Sequence, residues 1–104
     1  MKLTENQLRF LRGKAHALQP LILIGQAGLT DGVSAETDRA LTDHELIKVR
    51  VRGAEREQRD DIIAQLAART GSTLVTRIGH IAVLYRPRQP LPGLVLPAAP
   101  PAQT

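Results

Sequence analysis

The chain has 104 residues, with 14 Lys or Arg against 10 Asp or Glu and a formal net charge of +4. This balance favours polyanionic partners, because guanidinium groups pair bidentately with phosphate oxygens. This length suits about one domain, and the absence of cysteine excludes disulfides, thiolate nucleophiles and cysteine-based zinc sites. The first residues lack the apolar core of a signal peptide and no apolar stretch approaches the ~20 residues that cross a bilayer, so we expect a soluble, cytoplasmic protein without a membrane partner.

The first predicted element is a helix that starts at about Thr4. Thr4 and Gln7 have the spacing of a capping box, and the helix must end before Pro20. Apolar residues recur on one face at Leu8, Leu11, Ala15 and Leu18. Basic residues lie on other faces at Arg9, Arg12, Lys14 and His16. This helix is therefore predicted to pack through one side and to expose a basic one.

A GxxG loop follows the next predicted element. The apolar run at residues 21–24 shows no alternation, which predicts a short strand covered on both faces or lying centrally in a sheet. The loop then comprises Gly25, Gln26, Ala27 and Gly28. Glycine takes positive φ without a Cβ clash, so the chain can turn sharply here. Two interpretations stay open: the glycines serve that turn alone, or the order of strand, GxxG loop and helix aims unpaired amides at one point, as phosphate binding requires.

A second helix and a second strand divide the charge. Thr30 or Asp31 can cap the helix, whose inward positions are Val33, Thr37, Ala40 and Leu41. Residues 31–45 carry five acidic residues against one arginine, which predicts one acidic and one basic side of the protein. The strand alternates Ile47, Val49 and Val51 with Lys48, Arg50 and Arg52. Its basic face either contacts a polyanion or is simply solvated.

The remaining elements complete an α/β fold. Residues 55–70 predict a third helix, with Ile62, Ile63, Leu66 and Ala67 inward and Gly71 as its C-terminal stop. Two further strands meet at the hairpin turn Gly79-His80. The order α-β-α-β-α-β-β implies a sandwich with a four-stranded mixed sheet, parallel pairing across the helices and one antiparallel hairpin.

Proline marks a boundary near residue 87. Six of the seven prolines lie at or after this position, where fixed φ and missing N–H donors oppose regular structure. We therefore predict a folded domain over residues 1–87 and an extended, mostly mobile tail over residues 88–104.

Several motifs in order resemble the CRM (chloroplast RNA splicing and ribosome maturation) family, in particular its stand-alone bacterial YhbY-type members. They are residues 19–25, the GxxG loop with residues 29–33, residues 44–49, and Gly79 leading to residues 83–87. The resemblance covers essentially the whole predicted domain, from Leu3 to Pro87.

The resemblance implies a function and a fold. The fold would be that of the C-terminal domain of translation initiation factor 3, and the stand-alone members are associated with precursors of the large ribosomal subunit. Only residues 25–28 carry over to the nucleic-acid loop of the family. The interior of that loop is Gln26-Ala27, where family members often have a basic or more polar residue, so backbone amides and Gln26 would contact the RNA.

The candidate RNA-binding residues are therefore the loop and nearby cations. They are Gly25, Gln26, Ala27, Gly28, Arg9, Arg12, Lys14, Lys48, Arg50 and Arg52, with Arg77, Arg86 and Arg88 as secondary candidates. Phe10 and Tyr85 are too few for the stacking platforms of other RNA readers. We expect Phe10 to pack on the sheet and Tyr85 to end the core with its hydroxyl at the surface.

An enzymatic role has little support in the sequence. The three histidines, His16, His44 and His80, are far apart without metal-ligand spacing. Asp60 and Asp61 are adjacent and so point to different sides of a helix. We expect no enzyme activity, cofactor, metal or small-molecule substrate, and a monomer that binds ribosomal RNA in large-subunit precursors.

One alternative function stays open. A protein-interaction module could use the acidic second helix or the apolar residues of the tail, Leu91, Leu94, Val95 and Leu96.

Overall fold

A computed structural model of the chain describes residues 2–89 and 92–98. Its elements are α1 (Glu5–Ala15), β1 (Pro20–Ile24), α2 (Asp31–His44), β2 (Leu46–Val51), α3 (Arg56–Thr70), β3 (Thr73–Ile78) and β4 (Ile81–Tyr85). This order confirms the predicted α-β-α-β-α-β-β arrangement. Of the predicted tail, Pro90, Leu91 and residues 99–104 lie outside the described residues. No helix in the described part of the chain is long and apolar enough to cross a membrane.

The helix ends follow the sequence signals. The hydroxyl of Thr4 accepts the N–H of Gln7 at 3.2 Å, and the Gln7 side chain accepts the N–H of Thr4 at 3.0 Å, which completes the capping box. Thr30 caps α2 by accepting the N–H of Val33 at 3.1 Å. Gly71 ends α3 in the left-handed conformation, with φ of 64°. The predicted helix boundaries are thus confirmed.

The sheet is mixed, with strand order β1-β2-β4-β3. β1 and β2 are parallel across α2, whereas β4 is antiparallel to both β2 and β3. The prediction of parallel pairing across the helices therefore holds for α2 and is wrong for α3. The reason is that the hairpin places β4 between β2 and β3, so these two strands are not neighbours.

Each face of the sheet has its own core. On one face, α2 and α3 cover Ile22, Ile24, Ile47, Val49, Val51, Ala82 and Leu84. On the other face, the helix α1 covers Leu46, Val75, Val83 and Tyr85 through Leu11 and Ala15. The predicted apolar inward residues of α2 and α3 belong to the first core or pack against it, and Thr37 is buried as predicted. One helix on the second face leaves part of that face uncovered.

The structure corrects the prediction for β1. This strand lies at an edge of the sheet and not at its centre. Leu21 is 48% exposed and Leu23 is 54% exposed, while Ile22 and Ile24 are buried. The strand is covered on one side only, because α1 does not extend over the face that carries Leu21 and Leu23.

Tyr85 and Glu45 meet where β4 ends. Tyr85 is only 1% exposed, so the prediction of a surface hydroxyl is wrong. Burial raises the pKa of Tyr85, and the charge of Glu45 raises it further. Glu45 is 2% exposed and has a positive φ of 64°. Hydrogen bonds hold this strained residue in place: its N–H donates to Leu41 O at 2.9 Å, and its carbonyl accepts the N–H of Arg86 at 2.8 Å.

Residues 92–98, the tail segment, form neither helix nor strand but lie against the domain. The N–H groups of Gly93 and Leu94 donate to the Glu45 carboxylate. Leu94 and Leu96 pack against the second core. The Gln7 amide also donates to Pro97 O at 3.0 Å. The boundary at residue 87 stays a prediction, and the described tail segment is held by these contacts.

Candidate nucleic-acid interface

The candidate site lies at one end of the sheet, here called the loop end. The parallel strands β1 and β2 both end there, so the starts of α2 and α3 lie at this end too. The hairpin turn also lies there, because Val51 N–H donates to His80 O at 2.8 Å and His80 Nδ1 is 3.0 Å from Val51 O. The opposite end, where β4 finishes at Tyr85, is called the closed end.

The GxxG loop is a tight, open turn. The N–H of Gly28 donates to Gly25 O at 3.0 Å, and Gly28 has a φ of 71°. Gly25, Gln26 and Ala27 are exposed. Within residues 2–89 and 92–98, the N–H groups of Gln26 and Ala27 donate to no protein acceptor. Two backbone donors are therefore available to a ligand next to the start of α2.

A second turn, at Arg52 and Gly53, lies against the GxxG loop. Arg52 N–H donates to Ile24 O at 2.8 Å, and Gly53 follows with a φ of 73°. A Cβ atom at Gly53 would lie 3.2 Å from Cγ of Gln26, so glycine allows the Gln26 side chain to pack onto this turn. Gly53 was not among the predicted site residues, since a single glycine after a strand carries no specific signal.

The two turns and α3 enclose an open groove. Its lining includes Gly25, Gln26, Gly28, Arg52, Gly53, Gln58 and Asp61. Arg52 brings a positive charge to the groove and Asp61 a negative one. The groove is therefore suited to a single phosphodiester group, held by amides and one guanidinium. It is less suited to an anion that carries several charges.

The structure brings several predicted cations together on the α1 side of the sheet. Lys48 is opposite Val83 and Arg50 is opposite Ile81, both on the face that α1 covers in part. Arg12, His16 and Lys48 line one cavity of about 330 Å³. Within the described residues, Lys48, Arg50 and Arg52 have no carboxylate within 4.0 Å, while Arg12 has Glu5 at 4.0 Å.

Two predicted cations lie apart from this group. Lys14 lines a different cavity beside Leu18 and Leu21, and its Nζ lies 5.5 Å from the ring centroid of Phe10. Arg9 is exposed on α1 and lines neither the groove nor the Arg12 cavity. Phe10 itself packs against the second core, as predicted.

The three secondary candidates are tied to groups of the protein. Arg77 pairs with Asp60 on α3. Arg86 donates to Asp38 Oδ1 at 2.6 Å, to Thr70 O at 2.7 Å and to Thr42 Oγ1 at 2.9 Å. Arg88 donates to Asp43 O at 2.8 Å. Each of these arginines therefore has a partner within the protein.

The features behind the alternative function are also partly occupied. In the acidic segment of α2, Asp38 is held by Arg86, and Asp31 lies 3.8 Å from Arg69. Leu94 and Leu96 pack inward, whereas Val95 is 82% exposed. In residues 2–89 and 92–98, no group of three or more His, Cys, Asp or Glu side chains could hold a metal ion.

Comparison with known proteins identifies the family. The CRS1 / YhbY (CRM) domain matches residues 3–86. The chain belongs to the CRM domain family. Its match covers every element of the fold, from α1 to β4, and the loop end with it.

Relatives within this CRM family share much of the sequence. An RNA-binding protein of Haemophilus influenzae is 49% identical over 87 residues, which cover 84% of this chain and 88% of the relative. The probable RNA-binding protein PA4753 of Pseudomonas aeruginosa is 44% identical over 93 residues, covering 89% of this chain and 88% of the relative. The solution structure of the hypothetical protein SAV1595 from Staphylococcus aureus superposes with a TM-score of 0.79 and 33% identity, over 92% of this chain and 100% of that one.

Proposed function

We propose that this CRM-domain protein binds ribosomal RNA in precursors of the large ribosomal subunit and acts there as a non-catalytic assembly factor in the cytoplasm. RNA as the ligand is supported by the names of the relatives, which are RNA-binding proteins. The ribosomal target is the implication of the YhbY-type resemblance. The observation that carries the proposal is the pairing of unoccupied loop amides with cations that have no carboxylate within 4.0 Å in the described residues: Arg50 and Arg52 near the loop end, and Lys48 further along the same strand.

The physical mechanism follows from that pairing. Amides of the GxxG turn hold the sugar-phosphate backbone at a fixed position, as a KH-type loop does. Arg50, Arg52, Lys48 and Arg12 contact further phosphates and release condensed counterions from the RNA. Most of the affinity therefore comes from the backbone of the RNA, and it falls as the salt concentration rises.

A triple variant tests this interface. Arg12→Glu, Arg50→Glu and Gly28→Asp together should weaken binding to ribosomal RNA roughly tenfold or more, because several phosphate contacts are lost or reversed. Fluorescence anisotropy with a labelled ribosomal RNA fragment measures the effect, and circular dichroism checks that the variant is folded. An unchanged affinity in the folded variant would refute the proposed interface.

Single substitutions provide a matched control. Arg50 and Arg39 are both exposed, and neither has a carboxylate within 4.0 Å in the described residues. Arg39 lies on α2, on the face of the sheet away from α1. Arg50→Glu and Arg39→Glu change the net charge equally, so only the first should weaken binding markedly. Equal losses would mean that net charge alone governs the affinity.

The ribosomal target has its own test. The full chain, tagged and expressed in its host, should sediment with large-subunit precursors in a sucrose gradient at low salt and leave them at high salt. Sedimentation at the top of the gradient under both conditions would contradict the ribosomal part of the proposal while leaving RNA binding intact.

A further inference from the structure

An exposed row of side chains crosses the sheet next to the GxxG loop. The strand register places Leu23 opposite Arg50, Arg50 opposite Ile81, and Ile81 opposite Ile78. Directly opposed residues of neighbouring strands point to the same face, so these four side chains, here called the shelf, form one continuous surface. Leu23 is 54% exposed, Ile78 is 74% exposed and Arg50 is exposed as well.

The shelf is unusual because nothing in the fold explains its apolar character. The helix α1 covers the neighbouring rows through Leu11 and Ala15 but does not bury Leu23 or Ile78. Exposed aliphatic side chains keep apolar area in contact with water, and a ligand that covers this area gains free energy. Three of them around one arginine form a small apolar surface with a planar cation at its centre.

We propose that the shelf binds unpaired bases of the same RNA strand that the GxxG loop holds. This proposal rests on the proposed function and adds the kind of RNA: single-stranded, with its bases turned toward the sheet. An unstacked base can lie on a guanidinium plane, as bases do in other RNA-binding proteins. Leu23 and the two isoleucines extend that plane with apolar contacts to the base and the ribose.

Continuity with the loop supports RNA as the occupant. Leu23 lies two residues before Gly25, which is about 7 Å along a strand. An RNA chain held at the loop therefore reaches the shelf within one or two nucleotides. Arg12, His16 and Lys48 line the cavity that borders the shelf at Ile78 and Ile81. These cations provide contacts for the phosphates on either side of a bound base.

Size and charge argue against a second copy of the chain at this place. Stable protein interfaces bury about 800 Å² on each partner, more than four side chains provide. The cations around the shelf would also repel an identical basic surface. A nucleotide, in contrast, brings both an apolar ring and a negative charge.

The shelf has few groups that could read base edges. Arg50 offers donors, and the aliphatic side chains offer none. Binding through ring faces is tolerant of base identity, since every base has a π-face. We therefore expect a strong preference for single strands over duplexes and a weak preference for sequence. A duplex cannot use the shelf, because its bases are paired and stacked inside the helix.

Two RNA probes and two double variants test the proposal with the full chain. The probes are a mixed-sequence 12-nucleotide single strand and the same strand annealed to its complement. The shelf variant carries Leu23→Ser and Ile78→Ser. The control carries Leu74→Ser and Val95→Ser. Both residues are also exposed and aliphatic, but they lie outside the shelf. Leu74 is opposite Leu84 of the first core, and Val95 belongs to the tail segment.

The shelf variant should lose about fivefold in affinity for the single strand and keep its affinity for the duplex, because only the contacts with unpaired bases are removed. The control variant should bind both probes as the unmodified chain does. Equal losses for both probes, or no loss for either, would overturn the proposal. Thermal melting by circular dichroism confirms that each variant is folded.

Methyl NMR of the unmodified chain gives a direct readout that needs no substitution. The methyl resonances of Leu23, Ile78 and Ile81 should shift on titration with the single strand and stay in place with the duplex. Unmoved methyl resonances in the presence of bound single strand would overturn the proposal.

A Gly28→Asp variant distinguishes a failure of the shelf proposal from a failure of the proposed function. Weaker binding of both probes by Gly28→Asp, with no effect of the shelf variant, would refute the shelf and retain the loop. Full affinity of Gly28→Asp for both probes, or no binding of either probe by the unmodified chain, would refute the proposed function and the shelf with it.

Discussion

The two ends of the sheet use similar residues for different purposes. At the closed end, Arg86 and Arg88 donate to the ends of α2 and α3, and the buried Glu45 holds the tail segment. At the loop end, Arg50 and Arg52 have no carboxylate within 4.0 Å in the described part of the chain, and the loop amides have no protein acceptor. An arginine count alone therefore does not locate a binding surface. The partners of each arginine do.

The largest effect should come from breaking the closed end at Arg86. Arg86→Ala removes hydrogen bonds to Asp38, Thr42 and Thr70 O and should lower the free energy of unfolding by about 2 kcal/mol. Urea denaturation measures the loss. The affinity of the folded variant for RNA should be unchanged. Weaker RNA binding in proportion to the loss of stability would contradict the division between the two ends.

Truncation after Gln89 should have the next largest effect. It removes the packing of Leu94 and Leu96 and leaves the Glu45 carboxylate without the N–H groups of Gly93 and Leu94. We expect a loss of about 1 to 2 kcal/mol in the free energy of unfolding, since part of the gain from burial is offset by the entropy of ordering the tail. Unchanged RNA affinity would support the division between a closed end that stabilises the fold and a loop end that binds RNA. A large loss of affinity would place the tail at the RNA interface.

Salt dependence compares one cation of the proposed interface with one cation of the closed end. Lys48→Ala should lower RNA affinity about threefold and reduce the slope of log affinity against log salt by about 1, as expected for one lost phosphate contact. Arg88→Ala should leave that slope unchanged, because this arginine is bound to Asp43 O and faces Glu45. Equal changes of slope for the two variants would show that the closed end also contacts RNA.

The smallest effect concerns pH at the closed end. The pKa of Tyr85 is raised by burial and by Glu45, so the unfolded chain loses this proton at lower pH than the folded chain. The contribution of Tyr85 to stability is therefore present below pH ~10, the ordinary tyrosine value, and falls as the pH rises toward the folded-state pKa. Stability measured between pH 9 and pH 11 should decline less in Tyr85→Phe than in the unmodified chain. Identical declines would contradict the assignment.

Local signals made most of the fold predictable. The capping box at Thr4, the alternation in β2 and the glycine at the hairpin turn each depend on residues close in the sequence, and the structure confirms all three. The strand order was not predictable in the same way. A helix between two strands fixes their direction but does not show that β4 lies between β2 and β3.

The candidate site was predictable only in part. The GxxG loop is visible in the sequence, but the exposure of Leu23 was missed because an apolar run without alternation is typical of a covered strand. The internal roles of Arg86 and Arg88 were missed for another reason. Their partners on α2, among them Asp38 and Asp43, lie more than 40 residues away in the chain, so only the packed fold brings these groups together.

Amide chemical shifts of the full chain, titrated with a ribosomal RNA fragment, test the central claim most directly. We predict that the largest changes in chemical shift occur at residues 25–28 and 50–53, with small changes at Arg86, Arg88 and the tail segment. Shifts centred on the closed end or on the acidic helix α2, with the loop resonances unmoved by bound RNA, would contradict it.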